Sequence, residues 1–179
     1  KNKAVIESQT GTLVIVASPE TVLISDDKWL TAEFLREKGL PYSEACLPKG
    51  LEDAARVAGE WGYPVVLKTR RGTSSRHVYI LKNRRMLEEC YSSTPLPMLQ
   101  RVIDIPSDEL HTEYTCSVFK TPDGKSLGPF TARRTVRGGT SWHVEVDRFY
   151  ELDTLLLEIS QATDFIGSLN VQLMLTKKG

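Results

Sequence analysis

The sequence predicts an α+β fold, and three observations indicate it. Up to about residue 103, short apolar runs rich in β-branched residues alternate with helical patterns. From about residue 112, strands with alternating apolar and polar residues predominate, and a turn-forming segment at 121–125 joins two of them. This second part has a single helical pattern, at residues 152–163. Consecutive strands with one helix are typical of α+β rather than of an alternating parallel α/β sheet.

In the first part, capping and breaking residues delimit the elements. The first helix follows the capping sequence Ser25-Asp26-Asp27 and ends at Gly39. Helices are predicted at residues 28–38, 50–61 and 84–91. Strands are predicted at residues 13–16, 44–47, 63–68, 77–81 and 98–103, with a further apolar piece at 21–24. Of these, the run 63–68 predicts a strongly buried strand.

In the second part, the predicted strands lie at residues 112–119, 127–136, 143–146 and 168–175. The segment 137–141 contains two consecutive glycines and is predicted to be a flexible loop. A seam near residues 104–108 divides the two parts. The chain ends just after a strand-like run, and a terminal strand normally continues into a hairpin. A fragment of a longer chain is therefore expected.

Composition makes several functions improbable. The chain has 23 basic and 23 acidic residues, so a general affinity for nucleic acid or for an anionic membrane is not expected. No apolar run approaches the length of a membrane span, and no signal peptide opens the sequence. Three widely spaced cysteines indicate neither a disulfide framework nor a zinc site. A cytoplasmic location is the expectation.

Lys68 and the loop after it form the main candidate for chemistry. The predicted strand delivers a cation to a fixed place, and the loop at 69–76 begins directly after it. Gly72 permits close backbone approach, while hydroxyl groups and successive amides can donate to phosphate oxygens. Two arginines, Arg70 and Arg71, can add bidentate contacts. The alternative is also common: a solvent-exposed lysine at a strand end, followed by an ordinary hairpin turn.

Four other segments resemble the ATP-grasp enzymes, in the order in which that family has them. The sequence from Asp27-Lys28 to Gly39-Leu40-Pro41 is similar to the family's Asp-Lys helix. Residues 98–103 resemble the strand that lines the adenine pocket, and residues 113–118 resemble its Glu-Tyr-Thr strand. Residues 167–172 contain the Asn-Val-Gln sequence of the carbamoyl-phosphate-synthase-like branch. The resemblance covers residues 16–175.

The resemblance implies a role for each matching residue. Lys68 would contact the α- and β-phosphates, and Lys28 would be a second nucleotide-contacting cation. Glu113 would accept hydrogen bonds from the ribose hydroxyls, Arg134 would face substrate or phosphate, and Gln172 would lie near the metal. The phosphate lid would consist of Gly72, Thr73, Ser74 and Ser75. The strand whose backbone reads adenine would include Gln100, Arg101, Val102 and Ile103.

Two departures from the family pattern affect these expectations. Arg101 stands where the family usually has Glu, which puts the usual adenine or ribose contact in doubt. The family's next strand, which carries the Glu and Asn ligands of magnesium, would follow residue 179. Since Mg²⁺ requires several hard oxygen ligands, its site is expected to be incomplete in this chain.

The resemblance implies three parts and an activity. Residues 1–40 would form a lead-in strand and the Asp-Lys helix, residues 41–103 a small lid subdomain, and residues 104–179 part of a larger subdomain. With ATP and Mg²⁺, the parent enzyme would activate a carboxylate as an acylphosphate for attack by an amine or similar nucleophile. Lys68 and Arg134 would act electrostatically. The alternative is a non-catalytic nucleotide-binding or assembly module. A homo-oligomer, or further domains of the parent chain, would be compatible with both the enzyme and the module.

Overall fold

A computed structural model describes residues 2–72, 76–105 and 113–177. It confirms the α+β class, because the described residues form two four-stranded antiparallel sheets together with six α-helices. Thr73, Ser74 and Ser75 of the predicted lid lie outside the described residues, as do residues 106–108 of the predicted seam. The limits of the three predicted parts stay predictions. Within the described ranges, no helix is long and apolar enough to cross a membrane.

The first sheet and most helices come from the first part of the chain. Its helices are α1 (Lys3–Thr10), α2 (Pro19–Asp26), α3 (Lys28–Glu37), α4 (Leu51–Trp61) and α5 (Arg84–Tyr91). Its strands are β1 (Ala45–Cys46), β2 (Val65–Thr69), β3 (Val78–Leu81) and β4 (Pro97–Arg101), arranged in the order β1-β4-β2-β3.

Helices α4 and α5 cover one face of this sheet. Val65 and Leu67 of β2 are fully buried in one cluster with Ala54 and Ala58 of α4 and Leu87 of α5. Since successive side chains of a strand point to opposite faces, the residues of β2 between them lie on the face away from these helices.

The second sheet comes from the second part of the chain. Its elements are β5 (Glu113–Lys120), β6 (Ser126–Arg137), β7 (Thr140–Val146), a 3-10 helix (Tyr150–Leu152), α6 (Asp153–Ala162) and β8 (Gly167–Met174). The strand order is β7-β6-β5-β8. Tyr114, Cys116 and Val118 of β5 pack with Leu152 and Leu156 in a second buried cluster. The other face of β5 lies away from α6.

The N-terminal part differs from the prediction. The strand predicted at 13–16 is wrong, because these residues have no regular structure, and residues 21–24 belong to helix α2. The side chain of Ser18 accepts a hydrogen bond from the backbone N–H of Thr21, and Pro19 occupies the first turn. Both features favour the start of a helix. Helix α1, which buries no residue, was not predicted.

The loop predicted at 137–141 is a tight hairpin turn. Strand β6 runs to Arg137 and β7 begins at Thr140, so only Gly138 and Gly139 connect them. Their φ angles are 56° and 77°. Two-residue turns with both central φ angles positive suit hairpins because they match the twist of the flanking strands. They favour glycine because a residue without a Cβ adopts a positive φ without strain.

Candidate functional site

Lys68 lies on the face of the first sheet that points away from α4 and α5. The register of β2 places it between Met98 of β4 and Val78 of β3. Met98 is buried, whereas Val78 is exposed. Because β2 is hydrogen-bonded to a strand on each side, the backbone of Lys68 is held firmly in the sheet.

The ammonium group of Lys68 is in an unusual electrostatic position. Its side chain is half-buried, and within the described residues it has no hydrogen-bond or ion-pair partner. Burial, and after it the positive charge of Lys28, lowers the pKa of Lys68 from 10.5 to about 8. A half-buried cation beside a second cation is stabilised by an anion, so this position suits an anionic ligand.

Lys28 anchors the beginning of the loop that follows β2. Its Nζ donates to the carbonyl oxygen of Gly72 at 2.9 Å and to that of Arg70 at 3.4 Å. Its backbone N–H donates to Arg70 O at 3.0 Å. Gly72 has a φ of 133°, a conformation that favours glycine. Lys28 and Gly72, both expected at the site, are therefore in contact with each other near Lys68.

Arg70 contacts a carboxylate rather than standing free for phosphate. Its Nε donates to Asp27 Oδ1 at 3.1 Å and its Nη2 donates to Oδ2 at 2.6 Å. The Nε of Arg71 lies 3.5 Å from Asp27 Oδ2. The Nε–Nη2 edge of Arg70 is therefore occupied by Asp27, so this edge is not free for the bidentate phosphate contact that was expected of both arginines.

Asp27 contacts both arginines and is 1% exposed. Its Oδ1 also accepts from the backbone N–H groups of Trp29 at 3.0 Å and Leu30 at 3.4 Å, so it caps α3. Burial raises the pKa of Asp27, but the hydrogen bonds from Arg70 and from the two backbone groups outweigh it. The pKa of this carboxyl therefore lies below its usual value, and Asp27 is charged at neutral pH.

Strand β4 brings Gln100, but not the side chain of Arg101, to the face of Lys68. Gln100 pairs with Val66 in the register, and its Nε2 donates to Ser43 Oγ at 2.7 Å. Arg101 pairs with Val65 on the opposite face, where its Nε donates to Glu44 Oε2 at 2.5 Å. Its guanidinium also lies 5.3 Å from the ring centre of Trp61. The side chain of Arg101 therefore lies on the face opposite to Lys68, and the predicted part of residue 101 in the strand that reads adenine stays a prediction.

Val102 and Ile103 follow the strand rather than belonging to it. The strand predicted to reach residue 103 ends at Arg101, and Val102 to Ile105 have no regular structure. The backbone groups of Val102 and Ile103 are thus outside the ladder of the sheet. Their predicted contact with adenine stays a prediction.

Glu113 and Arg134 form an ion pair on the second sheet. They face each other in the register of β5 and β6, on the side away from α6. The Nη2 of Arg134 donates to Glu113 Oε1 at 2.6 Å, and its Nη1 donates to Ser141 Oγ at 3.2 Å. The Nε of Arg134 is buried and has no hydrogen-bond partner within the described residues. One oxygen of Glu113 is therefore bonded to Arg134.

Gln172 lies on the same side of the second sheet as Glu113. It pairs with Thr115 in the register of β8 and β5, and its side chain is exposed. Glu113, the nearest acidic residue along that register, is bonded to Arg134. In the part of the chain that the structure describes, no three His, Cys, Asp or Glu residues form a group able to hold a metal ion. The described side chains thus do not fit a Mg²⁺ site by themselves.

The predicted residues fall on two surfaces. Lys68, Gly72 and Gln100 belong to the first sheet and its loop, which Lys28 at the start of α3 contacts, while Glu113, Arg134 and Gln172 share one face of the second sheet. Asp27 was not predicted as a site residue. The capping pattern before α3 signals its role at the helix start, but its bond to a residue 43 positions away has no local signal.

No protein-family model matches the chain. It is 29% identical over 80 residues to the carbamoyl phosphate synthase large chain of Mycobacterium sp. (strain JLS), a match over 45% of this chain and 7% of that protein. It is 29% identical over 89 residues to phosphoribosylaminoimidazole carboxylase of Ogataea methanolica, covering 48% of this chain and 16% of that protein. The chain thus spans a small share of the curated relatives that it matches.

Solved structures match over almost the whole chain. One is N5-carboxyaminoimidazole ribonucleotide synthetase from Thermotoga maritima, with 24% identity and a TM-score of 0.70 over 96% of this chain and 44% of that one. Another is the 2-oxoglutarate carboxylase biotin carboxylase domain dimer from Hydrogenobacter thermophilus, with 17% identity and a TM-score of 0.78 over 99% of this chain and 42% of that one. Biotin carboxylase from Campylobacter jejuni has 19% identity and a TM-score of 0.80 over 98% of this chain and 43% of that one. The second is a complex with MgADP, ADP and bicarbonate, and the third is a beta-gamma-ATP complex.

The predicted resemblance is thereby confirmed at the level of the fold. These solved structures are ATP-grasp enzymes, and their overall folds match that of this chain. The chain spans a little under half the length of each of the three. This chain therefore has the ATP-grasp fold and is similar in sequence, over nearly half its length, to carbamoyl phosphate synthase large chains.

Proposed function

We propose that this chain is the ATP-binding part of a ligase that activates a carboxylate or bicarbonate as an acylphosphate. An amine or similar nucleophile would then displace the phosphate. The observation that supports the proposal best is Lys68, a half-buried cation with no described partner, beside a loop whose start is anchored to α3. A cation held in this way can stabilise the negative charge of a nucleotide phosphate, both in binding and during transfer.

The second sheet supports the same proposal. Glu113 retains one carboxylate oxygen that the Arg134 contact does not use, and that oxygen can accept a hydrogen bond from a ribose hydroxyl. Arg134 is a cation on that face, and its bond to Glu113 holds the guanidinium there, which supports a role in contacting substrate or phosphate. The solved complexes with ADP and with beta-gamma-ATP have the same fold and are consistent with a nucleotide ligand.

Magnesium is part of the proposal for the longer protein only. Gln172 would lie near the metal, and the carboxylate ligands would come from residues beyond those described. When bound, the ion would neutralise charge on the phosphates. The part of the reaction assigned to the described residues is to grip the nucleotide: Lys68 and the loop on the phosphates, Glu113 on the ribose, and Arg134 on the substrate or phosphate.

Mg-ATP is expected to stabilise the chain against heat. At a hundred times its dissociation constant, a ligand adds about 2.7 kcal/mol to the free energy of unfolding, which raises the melting temperature of a domain of this size by roughly 5 to 11 °C. A thermal-shift titration with Mg-ATP measures this, and Mg²⁺ with inorganic sulfate is the control. A concentration of 10 mM Mg-ATP is about ten times the upper end of typical KM values, so it should saturate such a site. A melting temperature that is unchanged at this concentration would contradict the proposal.

Binding alone does not separate a ligase from a nucleotide-binding module. The longer protein that contains this chain should release ADP from ATP in the presence of bicarbonate or another carboxylate. ADP formation that depends on the carboxylate supports the ligase. Stabilisation by Mg-ATP without any ADP formation would instead support the non-catalytic module.

The affinity for ATP should fall as the pH rises through about 8. The pKa of Lys68 in the free protein is lowered to about 8, so above that pH the amine loses the charge that attracts phosphate. ATP should therefore bind with proton uptake near pH 8, and each further pH unit should weaken Lys68-dependent binding by roughly tenfold. Calorimetric titrations at pH 7, 8, 9 and 9.5 measure this trend.

The matched control is Lys68→Arg, because an arginine keeps its charge throughout this pH range. Its affinity for ATP should be flat from pH 7 to 9.5. Without ligand, the free energy of unfolding of the wild type relative to that of Lys68→Arg should rise between pH 8 and 10.5, since the unfolded wild type binds more protons at Lys68 there. An affinity that falls equally in both proteins would show that another group causes the pH dependence.

A further inference from the structure

We propose that Asp27 is a positioning residue, which through Arg70 holds the start of the phosphate loop in the place where it can contact a nucleotide. This inference rests on the proposed ATP binding, and it assigns to a buried carboxylate a task that is separate from capping α3. Asp27 would not touch the nucleotide. It would act on the loop through the two hydrogen bonds with Arg70.

The geometry ties three consecutive positions of the loop to the N-terminus of α3. Arg70 binds Asp27 through its side chain, and its carbonyl oxygen accepts from the backbone N–H of Lys28 at 3.0 Å. Gly72 O accepts from Lys28 Nζ at 2.9 Å. Arg71 lies between them, and its Nε is 3.5 Å from Asp27 Oδ2. The start of the loop is therefore held against the N-terminus of α3.

The link to Lys68 is short. Arg70 is two residues after Lys68, and its backbone N–H donates to Leu96 O at 3.1 Å. The backbone of Arg70 is thus fixed by two hydrogen bonds, one on each side, while its side chain is fixed by a planar bidentate contact. Because the chain runs from this point to Gly72, the position of Gly72 at the start of the loop depends on where Arg70 is held.

The burial of Asp27 makes it energetically unfavourable to separate this carboxylate from Arg70. Asp27 is 1% exposed and the side chain of Arg70 is 25% exposed. A buried charge that loses its partner is strongly unfavourable, so the two side chains are expected to stay together. A purely structural role for the pair, in packing α3 against the first sheet, predicts equal effects on all ligands. A positioning role predicts an effect on phosphate binding alone.

The test is Asp27→Asn, assayed with Mg-ATP and with adenosine. Asparagine caps a helix as well as aspartate does, so its Oδ1 keeps the bonds to Trp29 and Leu30. Its amide nitrogen cannot accept the Nη2 bond of Arg70, so the bidentate contact is lost. The dissociation constant for Mg-ATP should rise about tenfold, which is the size of effect typical of residues that orient a ligand-contacting group without touching the ligand. The dissociation constant for adenosine, which lacks phosphates, should not change.

Two further variants complete the design. Asp26→Asn removes the neighbouring carboxylate, which is 62% exposed and 3.6 Å from Arg71, and it should leave both affinities unchanged. Arg70→Lys keeps the charge but loses the bidentate geometry, and it should weaken Mg-ATP selectively. It also replaces Asp27→Asn as the test if that variant does not fold.

The outcomes separate the two proposals. A wild type that binds neither Mg-ATP nor adenosine would contradict the proposed function. If the wild type binds both, then wild-type affinity for Mg-ATP in Asp27→Asn or Arg70→Lys overturns the positioning role. Equal weakening of ATP and adenosine in those variants would overturn it as well, because a structural defect acts on both ligands. Selective weakening of Mg-ATP is the supporting result.

Discussion

Replacing Lys68 with methionine should raise the dissociation constant for Mg-ATP by about 10- to 150-fold, the equivalent of the 1.5–3 kcal/mol that hydrogen bonds to a charged group contribute. Methionine fills nearly the same volume as lysine without a charge, and Lys68 is half-buried beside Lys28. Removing this desolvated cation should leave the free energy of unfolding of the ligand-free protein unchanged or higher. Calorimetry and chemical denaturation measure the two quantities separately.

Lys82 provides the matched control for this substitution. It is an exposed lysine just after β3, at the end of that strand remote from the loop and from Lys68. Lys82→Met should bind Mg-ATP like the wild type. If Lys68→Met also binds Mg-ATP like the wild type, Lys68 does not contact the phosphates and the site must be sought elsewhere on the sheet.

Replacing Leu67 with alanine should lower the free energy of unfolding by about 2–5 kcal/mol, the range for large-to-small changes in a core. Leu67 is fully buried in β2 and packs with residues of α4 and α5. The truncated side chain leaves a cavity that rigid neighbours such as Ala54 and Ala58 fill poorly. Urea denaturation followed by circular dichroism measures the loss.

Ile80 gives the comparison within the same sheet. It lies on the neighbouring strand β3 and is 59% exposed. Ile80→Ala should change the free energy of unfolding by no more than about 0.5 kcal/mol. A loss below about 1 kcal/mol for Leu67→Ala would show that the side chain is not enclosed as described.

The elements with strong local signals were predicted from the sequence. Helix α5 has the predicted bounds because Asn83 caps it, and its side chain accepts from the backbone N–H of Met86. The strand that ends near Lys68 was predicted from its apolar run. The hairpin between β5 and β6 followed from its turn residues. In each case the information lies within a few residues of the element.

The remaining features depend on residues far apart in the sequence. Residues 13–16 look like a strand, but no described strand pairs with them, and β propensity without a partner does not form a sheet. The bond between Arg70 and Asp27 joins positions 43 residues apart. The side of Arg101 could have been inferred, since it follows Gln100 in a strand and adjacent side chains point to opposite faces.

The two sheets have separate apolar cores, one beneath α4 and α5 and one beneath α6. Separate cores allow each half to open on its own, with the other still folded. If a nucleotide is held, as proposed, by Lys68 on one half and Glu113 on the other, it is lost when either half opens. Its binding free energy would then oppose both opening events and make the two halves melt as one cooperative unit.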